Sequence, residues 1–236
     1  MFRGFTAVMS AFSGLQKCQR PRFASFYAGR SSFPIVFLVL LLAAECPAGN
    51  APIAQITNVH GTVTINRPGL GRPIAAEQGS DVRVGDEVGT SEGASAQITF
   101  SDGSFMNLAQ ASSIRVNQYA FDETQNRRTV RSRVISGTVR FVAHRPMGPG
   151  SLLFVECGSA EITAWSLADF AVIVSPETAE VVVLRGGVGV KNTSPLIVGD
   201  VSLGVSQRTV VRGKTPPAQP DIISPAERKQ YMIIVR

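Results

Sequence analysis

From Ile53 onward, apolar and polar residues alternate with period two through one run after another. Side chains on a strand point alternately to its two faces, so such runs predict half-buried strands. "AQITNVHGTVTINRPG" supplies Val59, Val63 and Ile65, and Arg67-Pro68-Gly69 turns it. In "DVRVGDEVGT", Val82 and Val84 alternate with Asp81 and Arg83, and Gly85-Asp86 is a turn. In "SAQITFSDGSFMNLAQASSIRV", Ile98 and Phe100 share a side, and Met106 and Leu108 alternate with Phe105, Asn107 and Ala109. Asp102-Gly103 between them predicts a two-residue type I′ hairpin, with positive φ at both positions.

"DETQNRR" (122–128) reads as the tip of a longer hairpin. The return runs "TVRSRVISG" and "TVRFVAHR" aim Val130, Val134, Val139, Phe141 and Val142 at a core. "PMGPGS" then breaks the chain. Beyond it, "LLFVECGSAEITAWSLADFAVIV" gives two or three strands. "AEVVVLRGGVGVKN" reads as a hairpin turning at Gly186-Gly187, and "LIVGDVSLGVSQRTVVRG" as a further pair. Roughly a dozen strands separated by regular turn signals predict an all-β fold, a β-sandwich or β-solenoid-like core, and periodicity does not choose between them. Helical character is confined to the end. After the proline-rich "KTPPAQPD", Ser224 caps, Pro225 suits the first helical position and Glu227 completes a capping box, which predicts a short C-terminal helix. The expected organisation is a leader over 1–50, a β domain over 53–145, a second β subdomain continuous with it over 151–214, and a linker with helix over 215–236.

The first 50 residues carry different information. "FPIVFLVLLLAA" (33–44) is uninterruptedly apolar. It is short for a span of about 20 residues and fits the h-region of a secretory signal, with arginines before it and small residues after it. Cleavage after Ala48 is the expectation, and a retained anchor is the alternative. Glu45 before Cys46 argues against a lipoprotein signal. Removing this segment also changes the charge. The 236-residue chain carries +6, but residues 1–50 hold +4 of it (Arg3, Lys17, Arg20, Arg22 and Arg30 against Glu45), leaving a nearly balanced body. That argues against nucleic acid as a partner. Cys18 and Cys46 fall in the leader. Cys157 is left alone and reads as a small buried thiol.

Candidate chemistry is sparse. His60 and His144 have no second ligand at metal spacing, and neither a phosphate-cradling glycine loop nor a nucleophile elbow occurs, so no cofactor and no catalytic set is assigned. "NTSP" (192–195) matches a glycosylation acceptor by letter. The outstanding charge feature is Arg127, Arg128, Arg131, Arg133, Arg140 and Arg145, within 19 residues free of acid. Arg131 and Arg133 share one strand face. Two readings stay open: a site for anionic groups of an envelope polymer or headgroup, or a solvated face that guards an edge strand. Arg127, Arg128, Arg131, Arg133 and Arg140 are the candidate binding residues. Trp165, with Phe105, Tyr119, Phe121 and Tyr231, is either a stacking platform for carbohydrate or core.

The order of "GTVTINRPG", "VRVGDEVGTSEGASAQITFSDGSFMNLAQASSIRVNQYAFD" and "SGTVRFV" resembles the FecR domain. Gly61, Gly85, Asp86, Thr90, Phe100, Asp102, Gly103, Ser104, Gly137 and Phe141 carry the match, over about residues 55–145. "SLADF" and "GGVGVKN" resemble the region that follows in stand-alone members, although an Arg-Gly-Thr segment found there is missing. The resemblance implies a periplasmic or secreted β protein. The best-known members relay a signal from an outer-membrane receptor to a sigma factor. That role needs a cytoplasmic domain, and about 33 residues before the apolar run are too few for one. The expected function is therefore an exported, non-catalytic binding or scaffold module contacting an envelope protein or glycan, with membrane contact only if the N-terminal segment is retained. An anchored sensor of the relay type is one alternative. A glycan-active enzyme using Asp102, Glu161 or Asp169 is the other.

Overall fold

The computed structural model describes residues 51–143 and 148–233. The leader-like segment, with Cys18 and Cys46, and also His144 and Arg145, lie outside the described residues. The described strands begin with β1 (Pro52–His60), β2 (Val63–Asn66), β3 (Ile74–Ala75), β4 (Asp81–Arg83) and β5 (Glu87–Thr90). Then come β6 (Ser95–Phe100), β7 (Phe105–Leu108), β8 (Ser113–Asp122), β9 (Arg127–Ala143), β10 (Leu152–Cys157) and β11 (Ala160–Ala164). The last are β12 (Ala168–Val174), β13 (Thr178–Gly186), β14 (Val188–Asn192), β15 (Asp200–Leu203), β16 (Gln207–Arg212) and β17 (Asp221–Ile222), followed by helix α1 (Pro225–Ile233).

The strands form two layers that share β9. Sheet I runs β4-β1-β6-β7-β9-β12-β13-β16-β17. Sheet II runs β3-β2-β5-β8-β9-β10-β11-β14-β15. Neighbours are antiparallel throughout, except for the parallel β9–β10 pair. The inward faces meet in one core. Sheet I contributes Ile56, Ile98, Leu108, Phe141, Phe170 and Val172, and sheet II contributes Val88, Ile114, Val134, Val155, Ile162 and Val190. Phe141 and Phe170 stack across β9–β12 with centroids 5.1 Å apart.

β9 is the long element, where the sequence pattern suggested two runs parted by Ser136-Gly137. Its first ten residues pair in sheet II and its last seven in sheet I. The glycine does not end the strand but bends it between layers. Gly137 has φ +80°, and a Cβ there would lie 2.6 Å from the carbonyl oxygen of Ala111. The inward side switches with the bend, from Val130 and Val134 to Val139 and Phe141. The buried Ser112 straps the corner: its Oγ accepts from the Thr138 N–H at 2.9 Å and donates to the Thr138 carbonyl. The Ser112 N–H in turn donates to Thr90 Oγ1 at 3.0 Å.

Three turns differ from the pattern-based expectation. At Ser101–Gly103 the Gly103 N–H donates to the Phe100 carbonyl at 3.0 Å, and Gly103 alone has positive φ, +80°. The connection is thus a three-residue loop, a type I turn followed by a left-handed glycine, not a type I′ pair. Gly186-Gly187 is a corner rather than a hairpin: β13 pairs in sheet I and β14 in sheet II. β15 and β16 likewise part into different sheets. Glycine signals a change of direction, but not whether the chain returns beside itself or changes layer.

The capping box forms as the sequence predicts. Ser224 N–H donates to Glu227 Oε2 at 2.7 Å, and Glu227 N–H to Ser224 Oγ at 3.2 Å. α1 lies on the outer face of sheet I, where Val182, Leu184 and Ile223 pack with Ile173 and Tyr231. Arg228 Nη2 donates to the Leu184 carbonyl at 2.9 Å. Arg208 draws together Asp221 at 3.0 Å and Glu227 at 3.4 Å. Among the described residues no helix is long and apolar enough to cross a membrane.

Candidate functional site

Strand parity separates the five candidate arginines. Arg128 has the parity of Val130 and Val134, so it points into the protein, and its side chain is 2% exposed. Its Nη1 lies 2.7 Å from Oδ2 of Asp102, which is fully buried. The two atoms are in charge contact without a well-aligned hydrogen bond, and the buried Nε of Arg128 has no hydrogen-bond partner among the described residues. The guanidinium also sits 5.8 Å from the centroid of Phe121. Asp102 is placed by its own turn: Oδ1 accepts from the Ser104 N–H at 3.0 Å and from the Ser104 hydroxyl. Tyr119 closes the turn from above, its hydroxyl accepting from the Asp102 N–H at 3.2 Å and its ring stacking on Phe100 at 5.1 Å.

Arg140 belongs to the other half of β9 and faces outward on sheet I. Its Nε and Nη2 each reach a carboxylate oxygen of Asp169 at 2.8 Å, the bidentate fork that suits a guanidinium. That hydrogen-bonded pairing raises the Arg140 pKa, against the opposing effect of burial.

Arg127, Arg131 and Arg133 share the outer face of sheet II. Arg133 lies 4.0 Å from Glu156. Arg131 covers the Phe154 ring at 4.4 Å, a cation–π contact that keeps the guanidinium at the surface. Arg127 borders a shallow hollow of about 240 Å³ with Ala120, Asp122, Thr129 and Gly150. A row of charges crosses the same face in register: Glu87, Arg115, Arg133, Glu156, Glu161, Lys191 and Asp200. Glu87–Arg115 closes at 2.7 Å and Glu161–Lys191 at 2.6 Å. Trp165 follows Glu161 and Thr163 in parity, so it too faces outward, and it is 57% exposed. It lies on Gly189, where a Cβ would come within 3.4 Å of the indole. Trp165 is therefore not a core ring.

Three carboxylates considered for catalysis are each held by a cation: Asp102 by Arg128, Asp169 by Arg140 and Glu161 by Lys191. A carboxylate so paired is engaged by a neighbouring side chain rather than free to meet a substrate. Cys157 is buried, and burial pushes its thiol up to about 12. Asn192 is 4% exposed and its amide donates to the carbonyls of Gly213 and Thr215, both at 2.9 Å, so "NTSP" does not present a free asparagine.

The resemblance-bearing residues thus occupy structural posts. Asp86 is buried and accepts from Arg67 Nη2 at 2.8 Å and from the Arg83 N–H at 2.9 Å, while Thr90 and Gly137 build the β9 corner with Ser112. Compared with known families, residues 86–189 match the family model described as FecR protein. That likeness covers under half of the chain. The matched span starts later than the motifs at 55–145 and runs on to the start of β14, so the FecR-like region includes strands on both sides of the break near 148–150. No curated protein matches the sequence. Two crystal structures of a candidate anti-sigma factor from Parabacteroides distasonis ATCC 8503 are similar in fold, each with a TM-score of 0.47 and 19% identity over 62% of this chain. The chain spans 64% and 63% of those two structures, less than two thirds of their length.

The inward course of Arg128 was available from the sequence, because it shares the parity of Val130 and Val134. The partnerships of Arg128 with Asp102 and Arg140 with Asp169 were not, since they join segments 26 and 29 residues apart through sheet register.

Proposed function

We propose that this FecR-like protein is an exported, non-catalytic binding or scaffold module of the cell envelope, and that it engages its partner through the outer face of sheet II. The supporting observation is the difference between the two outer faces. α1 covers the β12–β13 part of the outer face of sheet I, whereas that of sheet II presents Arg127, Arg131, Arg133 and the exposed ring of Trp165. The paired state of Asp102, Glu161 and Asp169 weighs against the glycan-active enzyme. The test is capture from envelope extracts with the purified chain, comparing the wild type with Arg131→Glu/Arg133→Glu. The reading expects a retained protein or glycan that the charge-reversed variant releases. If the two forms retain the same material, or none, the reading fails.

The family match gives a second reading some support, a membrane-anchored periplasmic sensor in a FecR-type signal relay. Sequencing the mature N-terminus in the native host separates the two. A start near Gly49 removes the anchor, and a retained 33–44 segment favours the sensor.

A further inference from the structure

We propose that the outer face of sheet II binds an anionic polysaccharide, with one sugar ring stacked on Trp165 and acidic groups held by Arg127 and Arg131. This rests on the binding-module reading and names its ligand class and its contact residues.

Three observations carry it. First, the indole is exposed yet fixed, because Gly189 on the neighbouring strand lets the ring lie against the sheet. A pyranose offers a face of C–H groups, and the electron-rich face of an indole is its natural complement. Second, sheet register places the groups in a line. The β10–β11 register ends at Leu153↔Ala164, so Trp165 stands one step further, beside Leu152, and Leu152 pairs with Thr129 and Thr129 with Ala120. The hollow of about 240 Å³ lined by Ala120, Thr129 and Arg127 therefore lies along the row that starts at Trp165. With strands about 4.8 Å apart, indole and hollow are separated by roughly 10–14 Å, a span for a short run of sugar rings lying across the strands. Third, the charge fits an acidic chain. Arg127 and Arg131 flank Thr129 on the same face, and neither makes an ion pair among the described residues; the carboxylate that lines the hollow is Asp122, which faces Arg127 across the β8–β9 register. Two cations against one carboxylate leave the surroundings of the hollow net positive.

Trp165 is the sole tryptophan of the chain, so its emission reports on this face alone. The experiment titrates the full chain with a hexamer of a uronic acid, a neutral glucose hexamer and inorganic phosphate, following tryptophan emission, with calorimetry for the variants. The uronate hexamer should change the emission saturably and bind about tenfold or more tightly than the glucose hexamer, with affinity falling as salt rises. Trp165→Ala should weaken uronate binding about tenfold or more, and Trp165→Phe should restore part of it. Arg127→Gln/Arg131→Gln should remove the preference for the charged hexamer while leaving the neutral one unchanged. Binding of phosphate with the same affinity as the hexamer would reduce the site to simple anion binding and overturn the proposal. So would the absence of binding by either hexamer, or binding insensitive to Trp165→Ala and to the arginine pair. If the hexamers fail while envelope capture still returns a protein released by charge reversal, the polysaccharide falls and the module reading stands.

Discussion

Replacing Asp102 by asparagine removes the charge facing Arg128 in a place where water does not reach either group. The two side chains are 0% and 2% exposed, and the guanidinium has an unpartnered Nε besides. Breaking a buried pair leaves the surviving charge desolvated and uncompensated, at a cost of about 3–5 kcal/mol. For a protein of this size, each kcal/mol lowers Tm by about 2–4 °C, so Asp102→Asn should lower it by roughly 6–20 °C. Asparagine keeps a side-chain oxygen for the Ser104 N–H, so loss of the turn is not the cause. Arg128→Met should also destabilise, by stranding Asp102. The combination Asp102→Asn/Arg128→Met removes both charges and keeps the volume. It should be more stable than the sum of the single losses predicts, by about 1.5–3 kcal/mol of coupling. Urea and thermal unfolding followed by circular dichroism measure all four forms of the cycle. A single Asp102→Asn loss below about 1 kcal/mol, or strict additivity in the double variant, would refute the argument that this pair acts as a buried, mutually compensating unit.

Gly137→Ala should cost about 2–5 kcal/mol, combining positive φ with overlap against the Ala111 carbonyl, and the same denaturation assays read it. Cys157 should resist a soluble disulfide reagent at pH 8 in the native protein, because a thiol pushed to about 12 remains protonated there, and should react on unfolding in urea. Ser224→Ala should weaken the α1 cap by about 0.5–2 kcal/mol, seen as faster amide exchange in α1. The same exchange should respond to acid. Hydrogen bonds from Ser224 lower the Glu227 pKa below 4.5, so its stabilisation is complete above that value and is lost as pH falls through the lowered one.

Period-two alternation made the strands legible because it reflects which face each residue turns to the core. Val130, Val134, Val139 and Phe141 are all buried as their spacing implies. The capping residues of α1 were equally legible, since a cap is a contact between near neighbours in the chain. What alternation does not hold is the layer to which a strand belongs. Gly186-Gly187 reads as a hairpin turn on local grounds, but β13 and β14 find their partners among β12, β16, β11 and β15. The candidate site was half legible for the same reason. The arginine cluster is a local pattern, and parity sorts Arg131 and Arg133 onto one face. The partners of Arg128 and Arg140 come from distant turns and strands, and the meeting of Trp165 with Gly189 depends on the β11–β14 register.

The double membership of β9 bears on how the chain acquires its structure as it emerges end first from a ribosome or a translocation channel. Sheet I needs β12 beside Gly137–Ala143, and sheet II needs β10 beside Thr129–Val134. In sheet II β9 has both neighbours, β8 and β10, once Cys157 has appeared, whereas in sheet I it has β7 at once and β12 only from Val174. The strands up to β9 can pair among themselves before either arrives, so the two layers are completed in order, sheet II around β9 first and sheet I after it. The bend at Gly137 thus ties an earlier-finished layer to a later one.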